Sequence, residues 1–305
     1  MWLMVSGVFT TMCKVSIKSE DLPGLYQSAD QCSIDSQKVY FNGLRLYLIL
    51  LILAASSTYF LDAESLGALS SAALFLITLG ILIYLRVKRP DDIWYNGRAV
   101  AESVKTISWR WMMRAEPYHD VANLDDVAKD FIADLKEILR QNNSLSHSLT
   151  TRSGVKDPIT EPMRKCRGLS VRDRLEVYNK YRIKDQADFY SGKSEFNKRR
   201  AAQWFWVSVF LHSLAIGLLL YRIKDPSFVF PVEVVATAAG AALTWLQAKK
   251  HNELNSAYSL AAHEIILIRG EALSINDEQE LSDFVINSEA AFSREHTQWA
   301  ARRVD

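Results

Sequence analysis

The sequence lacks the short motifs that mark common catalytic sites. It contains no GxxxxGK[ST] phosphate loop, no GxGxxG turn, no HExxH zinc motif and no CxxC pair. Its six histidines are scattered along the chain. We therefore predict no catalytic residues, no metal site, no resident cofactor and no enzyme activity.

Cysteine and net charge are also scarce. The three cysteines, Cys13, Cys32 and Cys166, have no metal-ligand spacing. Because their number is odd, they cannot all form disulfides within the chain, as expected for a protein of a reducing compartment. Because the net charge is only +1, contact with nucleic acid or phosphate would need a local basic patch. The apolar leader Met1–Cys13 lacks a signal peptide's basic start. It could be an interfacial segment, part of an oligomer contact or the product of an upstream start codon.

Four long apolar runs stand out against a mean hydropathy of −0.04. They occupy residues 44–61, 66–85, 201–221 and 227–248. About 20 apolar residues, rising ~1.5 Å each, span the ~30 Å hydrocarbon core as a helix. Because a short turn joins the two runs of each pair, we predict an all-α membrane protein with two transmembrane hairpins. Long helices would continue from the hairpins into a cytosolic helical domain.

The chain divides into four predicted parts, two of which resemble each other. These parts are a leader (1–20), a first helix-hairpin-helix unit (21–116), a cytosolic helix and loop insertion (117–170), and a second unit (171–305). An offset of 158 residues aligns 28–37 with 186–195 and brings both hairpins into register. This alignment predicts an internal duplication.

The distribution of basic residues predicts the orientation of the hairpins. Eleven Lys and Arg residues flank the hairpins on the outside, whereas the two hairpin turns carry only Arg222 and Lys224. Since cytoplasmic flanks carry the excess of basic residues, both termini and the central segment should be cytoplasmic.

Five polar residues of the apolar runs are candidate pore residues: Glu233, Ser70, Ser71, Thr78 and Thr237. Glu233 is the only charge between Ser227 and Ala248, about two turns into the fourth run. A ring of such carboxylates would favour cations at a pore mouth, or Glu233 could simply reach headgroup water. The hydroxyl groups could line water or bond to their own helix.

A basic segment between Arg152 and Arg174 is the candidate ligand site. Its seven basic residues face only three acids; they are Arg152, Lys156, Arg164, Lys165, Arg167, Arg172 and Arg174. Arginine forks suit phosphates, and Tyr178, Tyr181 or Trp109 could stack on bases. Two alternatives stay open, which are attraction to anionic lipid and salt bridges to the acidic helix 125–137.

Several strings, in order along the chain, resemble the SLATT family, the transmembrane effector domains associated with SMODS nucleotidyltransferases and SLOG proteins. They are Trp94–Lys105, Trp109–Trp111, Ile159–Arg164, Gly168–Arg174, Tyr178–Gln186, Tyr190–Asn197 and Phe292–Arg302. The leader and the loop Asn142–Lys156 have no counterpart in this resemblance. No catalytic set is carried over from the family.

The resemblance implies an anti-phage effector of the bacterial inner membrane that forms a pore or ion channel, depolarises the membrane and arrests growth. Its regulatory ligand would be a cyclic or linear oligonucleotide made by a cognate SMODS-type nucleotidyltransferase. Because four crossings offer too few polar groups for an aqueous lumen, we expect a homo-oligomer in the lipid bilayer, with a tetramer favoured. The alternative is a non-conducting membrane scaffold that recruits a partner through its cytosolic helices.

Overall fold

The computed structural model describes residues 15–61, 64–119, 123–145, 147–149, 156–227 and 231–301, with the backbone alone at 64 and 294–301. Within these ranges the secondary structure is helical and contains no strand, which confirms the all-helical prediction. The leader Met1–Cys13 and Arg152 lie outside the described residues. The α-helices are α1 (Gly24–Phe60), α2 (Glu64–Lys88), α3 (Pro90–Met113), α4 (Leu124–Gln141), α5 (Glu161–Arg167), α6 (Val171–Tyr178), α7 (Lys184–Lys224), α8 (Val232–Lys249), α9 (His251–Glu271) and α10 (Glu278–Ala301).

The first three helices form one antiparallel unit. Helix α1 has 37 residues and is therefore about 55 Å long. Its second half packs against α2, and its first half packs against α3. The contact with α3 is close because Gly97 has no side chain. A Cβ atom at Gly97 would lie 3.1 Å from the carbonyl oxygen of Ala29 and 3.2 Å from the amide nitrogen of Ser33.

Helices α7, α8 and α9 repeat this arrangement. The second half of α7 packs against α8, where the rings of Trp204 and Trp245 lie 6.2 Å apart. The first half of α7 packs against α9, where His251 Nδ1 lies 2.7 Å from Asn197 Oδ1. The aligned segments 28–37 and 186–195 thus lie in the same half of the long helix of each unit.

Both units turn the chain in the same way between their second and third helices. Arg89, between α2 and α3, has a φ of 45°, and Lys250, between α8 and α9, has a φ of 48°. Positive φ is uncommon for residues other than glycine. In each unit, one such residue ends one helix and begins the next.

Helices α4, α5, α6 and α10 share one apolar core with the ends of both units. Residues from α3, α4, α5, α6 and α10 are buried in it, including Trp111, Phe131, Met163, Tyr178 and Leu281. A smaller cluster of Phe41, Trp94 and Trp245 joins the two units, because α8 packs against α1. The two units therefore contact each other in two places, the large core and this smaller cluster.

Three helical stretches are long and apolar enough to cross a membrane: Gly24–Phe60, Ser65–Met113 and Val171–Lys224. They contain the predicted crossings 66–85 and 201–221 and all but the last residue of the crossing 44–61, and they indicate a membrane protein. Helix α8 corresponds to the run 227–248 but has only 18 residues and is less apolar. The fourth crossing therefore stays a prediction.

The contact at Gly97 predicts the effect of one substitution. Gly97→Val would push backbone atoms of α1 and α3 apart and should cost about 1–3 kcal/mol of stability. The measurement is thermal unfolding of the protein purified in detergent. Gly192→Val in α7 is the matched control, because no described atom outside its own turn lies within 4 Å of a Cβ placed there. Equal unfolding temperatures for the two variants would contradict the close contact.

Candidate functional site

A buried carboxylate, Glu289 of α10, binds side chains from three other parts of the chain. Arg182 donates from Nε to Glu289 Oε1 at 2.8 Å and from Nη2 to Oε2 at 2.6 Å. Tyr178 donates its hydroxyl to Oε1 at 3.0 Å, and Thr106 donates to Oε2 at 2.9 Å. Arg182 is 1% exposed and Glu289 is fully buried. We call these four residues the Glu289 network.

Arg182 of the Glu289 network lies in a π-helical turn, Asn179–Ile183, which joins α6 to α7 without a break. Such turns often occur at functional sites. Because Arg182 and Ile183 point into the core, Lys180 and Tyr181 lie on the outer side of the turn. There they line a cavity of about 480 Å³ between α3 and the start of α7.

Two of the seven predicted phosphate-binding residues are interior residues. Arg167 is 3% exposed, and its guanidinium donates to the carbonyl oxygens of Trp111 and, at 2.9 Å, Tyr118. Arg174 is fully buried and donates to the carbonyl oxygen of Met113 at 2.6 Å. The last carbonyls of a helix have no partner within it. Both arginines therefore hold the end of α3, and neither presents its guanidinium to solvent.

The other basic residues of the segment do not form a single surface. Four of them are exposed: Lys156, Arg164, Lys165 and Arg172. Lys165 lies 3.4 Å from Glu161, and Lys156 donates to the carbonyl oxygen of Glu20 at 3.0 Å. A cavity of about 380 Å³ beside them is mainly acidic, with the lining Glu20, Asp21, Lys156, Asp157, Thr160 and Glu161. That lining would repel a phosphate.

The three predicted stacking residues have different surroundings. Tyr178 is fully buried, and its ring contacts Trp109 edge to face with centroids 5.6 Å apart. Trp109 is 2% exposed and contributes only to the wall of the 480 Å³ cavity. Tyr181 is half-buried and lines the same cavity. The structure therefore brings Trp109 and Tyr181 together, away from the exposed arginines.

Comparison with known protein families matches both units. The family model for SMODS and SLOG-associating 2TM effector domain 3 matches residues 23–175, and that for domain 1 matches residues 178–299. The chain belongs to the SLATT family. The two SLATT matches meet next to the π-helical turn, so each covers one three-helix unit. No curated protein and no solved structure matches the chain.

Several charged residues of the SLATT-like strings form ion pairs inside the protein. Arg98 Nη2 lies 2.7 Å from Glu102 Oε1 and Arg98 Nη1 lies 3.5 Å from Asp30 Oδ1, which joins α3 to α1. Arg182 belongs to the Glu289 network. The sequence strings thus coincide with contacts between helices. Glu289 lies outside every string, and only its position opposite Arg182 in the folded chain shows its role.

The position of Glu233 in this SLATT chain corrects the sequence analysis. Helix α8 begins at Val232, so Glu233 lies in its first turn and not two turns in. Pro231 explains the later start, because proline lacks the N–H group needed in a helix interior. The carboxylate is 76% exposed and lies 3.9 Å from Arg222. An acidic group in a first turn is also favoured by the helix dipole.

Three of the four candidate pore hydroxyls bond to their own helix. Ser70 donates to the carbonyl oxygen of Gly67 at 2.9 Å, and Thr78 donates to that of Phe75 at 2.8 Å. Thr237 donates to the carbonyl oxygen of Glu233 at 2.8 Å. Ser71 is half-buried on α2. These bonds fit the alternative in which the hydroxyl groups bond to their own helix. Each hydroxyl oxygen can still accept a hydrogen bond from water.

The Glu289 network predicts a large loss of stability in Glu289→Ala. The substitution leaves the charge of Arg182 buried without its partner, which typically costs about 3–5 kcal/mol. Asp283→Ala on the same helix is the matched control, because Asp283 is exposed and should change stability by no more than about 0.5 kcal/mol. Unfolding temperatures in detergent measure both. Equal temperatures would mean that the network contributes little to folding.

Proposed function

We propose that the protein is a nucleotide-controlled, pore-forming effector of bacterial anti-phage defence that depolarises the inner membrane and arrests growth. The observation that carries this proposal is the pairing of two effector-domain matches with three apolar helical stretches. Membrane helices combined with an effector description favour an action on the bilayer itself. A SMODS-type nucleotidyltransferase is the partner that the family description favours.

The proposed arrangement has four crossings in two hairpins, with both termini in the cytoplasm. The common arrangement of α1–α3 and α7–α9, with a positive-φ residue at the same point of each, supports an internal duplication. If α8 crosses the membrane beside α7, it does so as the counterpart of α2. Its lower apolarity would then suit a position that faces protein or water more than lipid.

Conduction would require several copies of the chain, and we favour a tetramer. One chain has too few crossings to enclose an aqueous lumen, so copies must share it. Helix α9 supports association, because it exposes apolar side chains outside the stretches that could span a membrane. They are Leu260 (62% exposed), Ile266 (61%) and Leu267 (72%). A second copy of the chain would cover this face.

A non-conducting membrane scaffold is the second candidate function. The observation that favours it is the bonding of three candidate pore hydroxyls to their own helices. A scaffold would use the cytosolic core to recruit a partner and would leave the membrane potential unchanged. The two functions therefore differ in one measurable quantity.

Depolarisation is the decisive test of the proposed function. Cells that produce the protein together with an active partner nucleotidyltransferase should lose membrane potential, measured with a voltage-sensitive dye, before growth stops. Cells that produce the nucleotidyltransferase alone are the control. An unchanged potential, with the protein detected in the membrane fraction and the enzyme active, would exclude pore formation and leave the scaffold.

Glu233→Gln tests whether this carboxylate faces the conducting path. The substitution removes the charge at nearly constant shape, so the preference for cations should fall while assembly is unchanged. Reversal potentials in planar bilayers with unequal KCl measure the preference. Asp225→Asn, in the same hairpin turn, is the matched control because Asp225 follows α7 and bonds to Ser227. Unchanged selectivity in Glu233→Gln would place Glu233 away from the path.

A further inference from the structure

The cavity between α3 and the start of α7 is lined by side chains from four parts of the chain. Helix α3 contributes Lys105 and Trp109, the π-helical turn contributes Lys180 and Tyr181, and α7 contributes Lys184. The segment before α1 closes one side with Lys18 and Leu22. Its volume of about 480 Å³ is in the usual range for small-molecule sites.

The lining of this cavity carries more positive than negative charge. Four lysines, Lys18, Lys105, Lys180 and Lys184, line it together with two acids, Asp185 and Asp188. Lys18 lies 3.4 Å from Glu20 and so has a carboxylate partner already. The other three ammonium groups come from two sides of the cavity: Lys105 from α3, and Lys180 and Lys184 from the π-helical turn and the start of α7. This placement suits an anion held between them.

Lys105 is the most informative of these lysines. Its side chain is half-buried, and the structure shows no direct hydrogen bond or ion pair from its ammonium group to another described residue, although the carboxylates of Glu102 and Asp185 attract it from a greater distance. Burying a charge without a partner is costly. An anion that entered the cavity would give this ammonium group a direct partner.

The wall beside these lysines is aromatic and apolar. Trp109 and Tyr181 line the cavity with Leu22, and the ammonium of Lys180 lies 5.2 Å from the centre of the Tyr181 ring. A half-buried tyrosine beside a lysine offers a planar ligand one stacking face and one charge. Anionic phosphate and a flat ring are the two chemical features that this lining would recognise together.

We propose that this cavity binds a nucleotide carrying two or more phosphates, with Lys105, Lys180 and Lys184 on the phosphates and Tyr181 against the base. The proposal rests on the proposed function, because the bound nucleotide would be the signal that controls the effector. It places the signal away from the exposed residues of the basic segment. Asp188, and Asp185 beside its bond from Gln186, could accept hydrogen bonds from ribose or base.

A ligand in this cavity would act directly on a helix that could cross the membrane. The phosphates would join α3 to the π-helical turn and the first turn of α7, and α7 continues without a break to Lys224. Since a ligand shifts an equilibrium only by its different affinity for two states, contacts on both elements are required. This cavity provides them, because its lysines lie on both sides.

Calorimetric titration of the full chain in detergent tests the site. The probes are ATP, GTP, the cyclic dinucleotides of adenine and of guanine, and inorganic pyrophosphate. At least one nucleotide should bind, and Lys105→Gln and Lys184→Gln should each weaken it about tenfold or more, as expected for a lost charged contact. Tyr181→Leu should weaken the nucleotide but not pyrophosphate. Lys136→Gln, an exposed lysine on α4, is the matched control and should bind like the unmodified protein.

Three outcomes would overturn the proposal. They are binding of no nucleotide, equal affinity in Lys105→Gln and Lys184→Gln, and a comparable loss in Arg164→Gln, which would place the site on the basic segment. Lys184 is exposed, so its variant should fold even if Lys105→Gln does not. Binding is measured without a membrane potential. A chain that binds at this cavity but never depolarises cells would therefore refute the pore and leave the site.

Discussion

The structure depends on keeping one carboxylate, Glu289, paired in a fully buried position. Its four hydrogen bonds come from α3, α6 and the π-helical turn, so α10 cannot move away without leaving a charge unpaired in the core. Such a charge costs several kcal/mol, which is comparable with much of a domain's net stability. The network therefore fixes the C-terminal helix against α3 of the first unit and against the π-helical turn that leads into α7.

The same network determines which side chains face outward. Because Arg182 must reach Glu289, the π-helical turn is held in one register, and Lys180 and Tyr181 are directed toward the cavity. Thr106 holds the neighbouring turn of α3, so Lys105 faces the cavity from the other side. The buried network around Glu289 thus positions residues on the two opposite walls of the cavity. The buried pair and the basic cavity are two sides of one contact between α3 and the start of α7.

Much of the helical arrangement could be predicted from the sequence, whereas the site could not. The lengths of the apolar runs are local properties, and they predicted α2 and the apolar halves of α1 and α7. A count of basic residues gives charge but not exposure. The count could not show that Arg167 and Arg174 would be buried and donate hydrogen bonds to the unpaired carbonyl oxygens at the end of α3. Lys105 and Lys184 are 79 positions apart, so only the folded chain brings them to one cavity.

Any signal at the core must travel through the few elements that are continuous with the membrane helices. Helix α3 follows α2 after the single residue Arg89, and α7 continues from the π-helical turn through its apolar half. A change in the distance between α3 and the start of α7 would therefore move the end of α2 and the base of α7 together. To shift such a pair from mostly one state to mostly the other takes about 5.5 kcal/mol of differential binding. Two or three charged contacts made in only one state would supply that amount, and the lysines that face each other across the cavity are placed to make them.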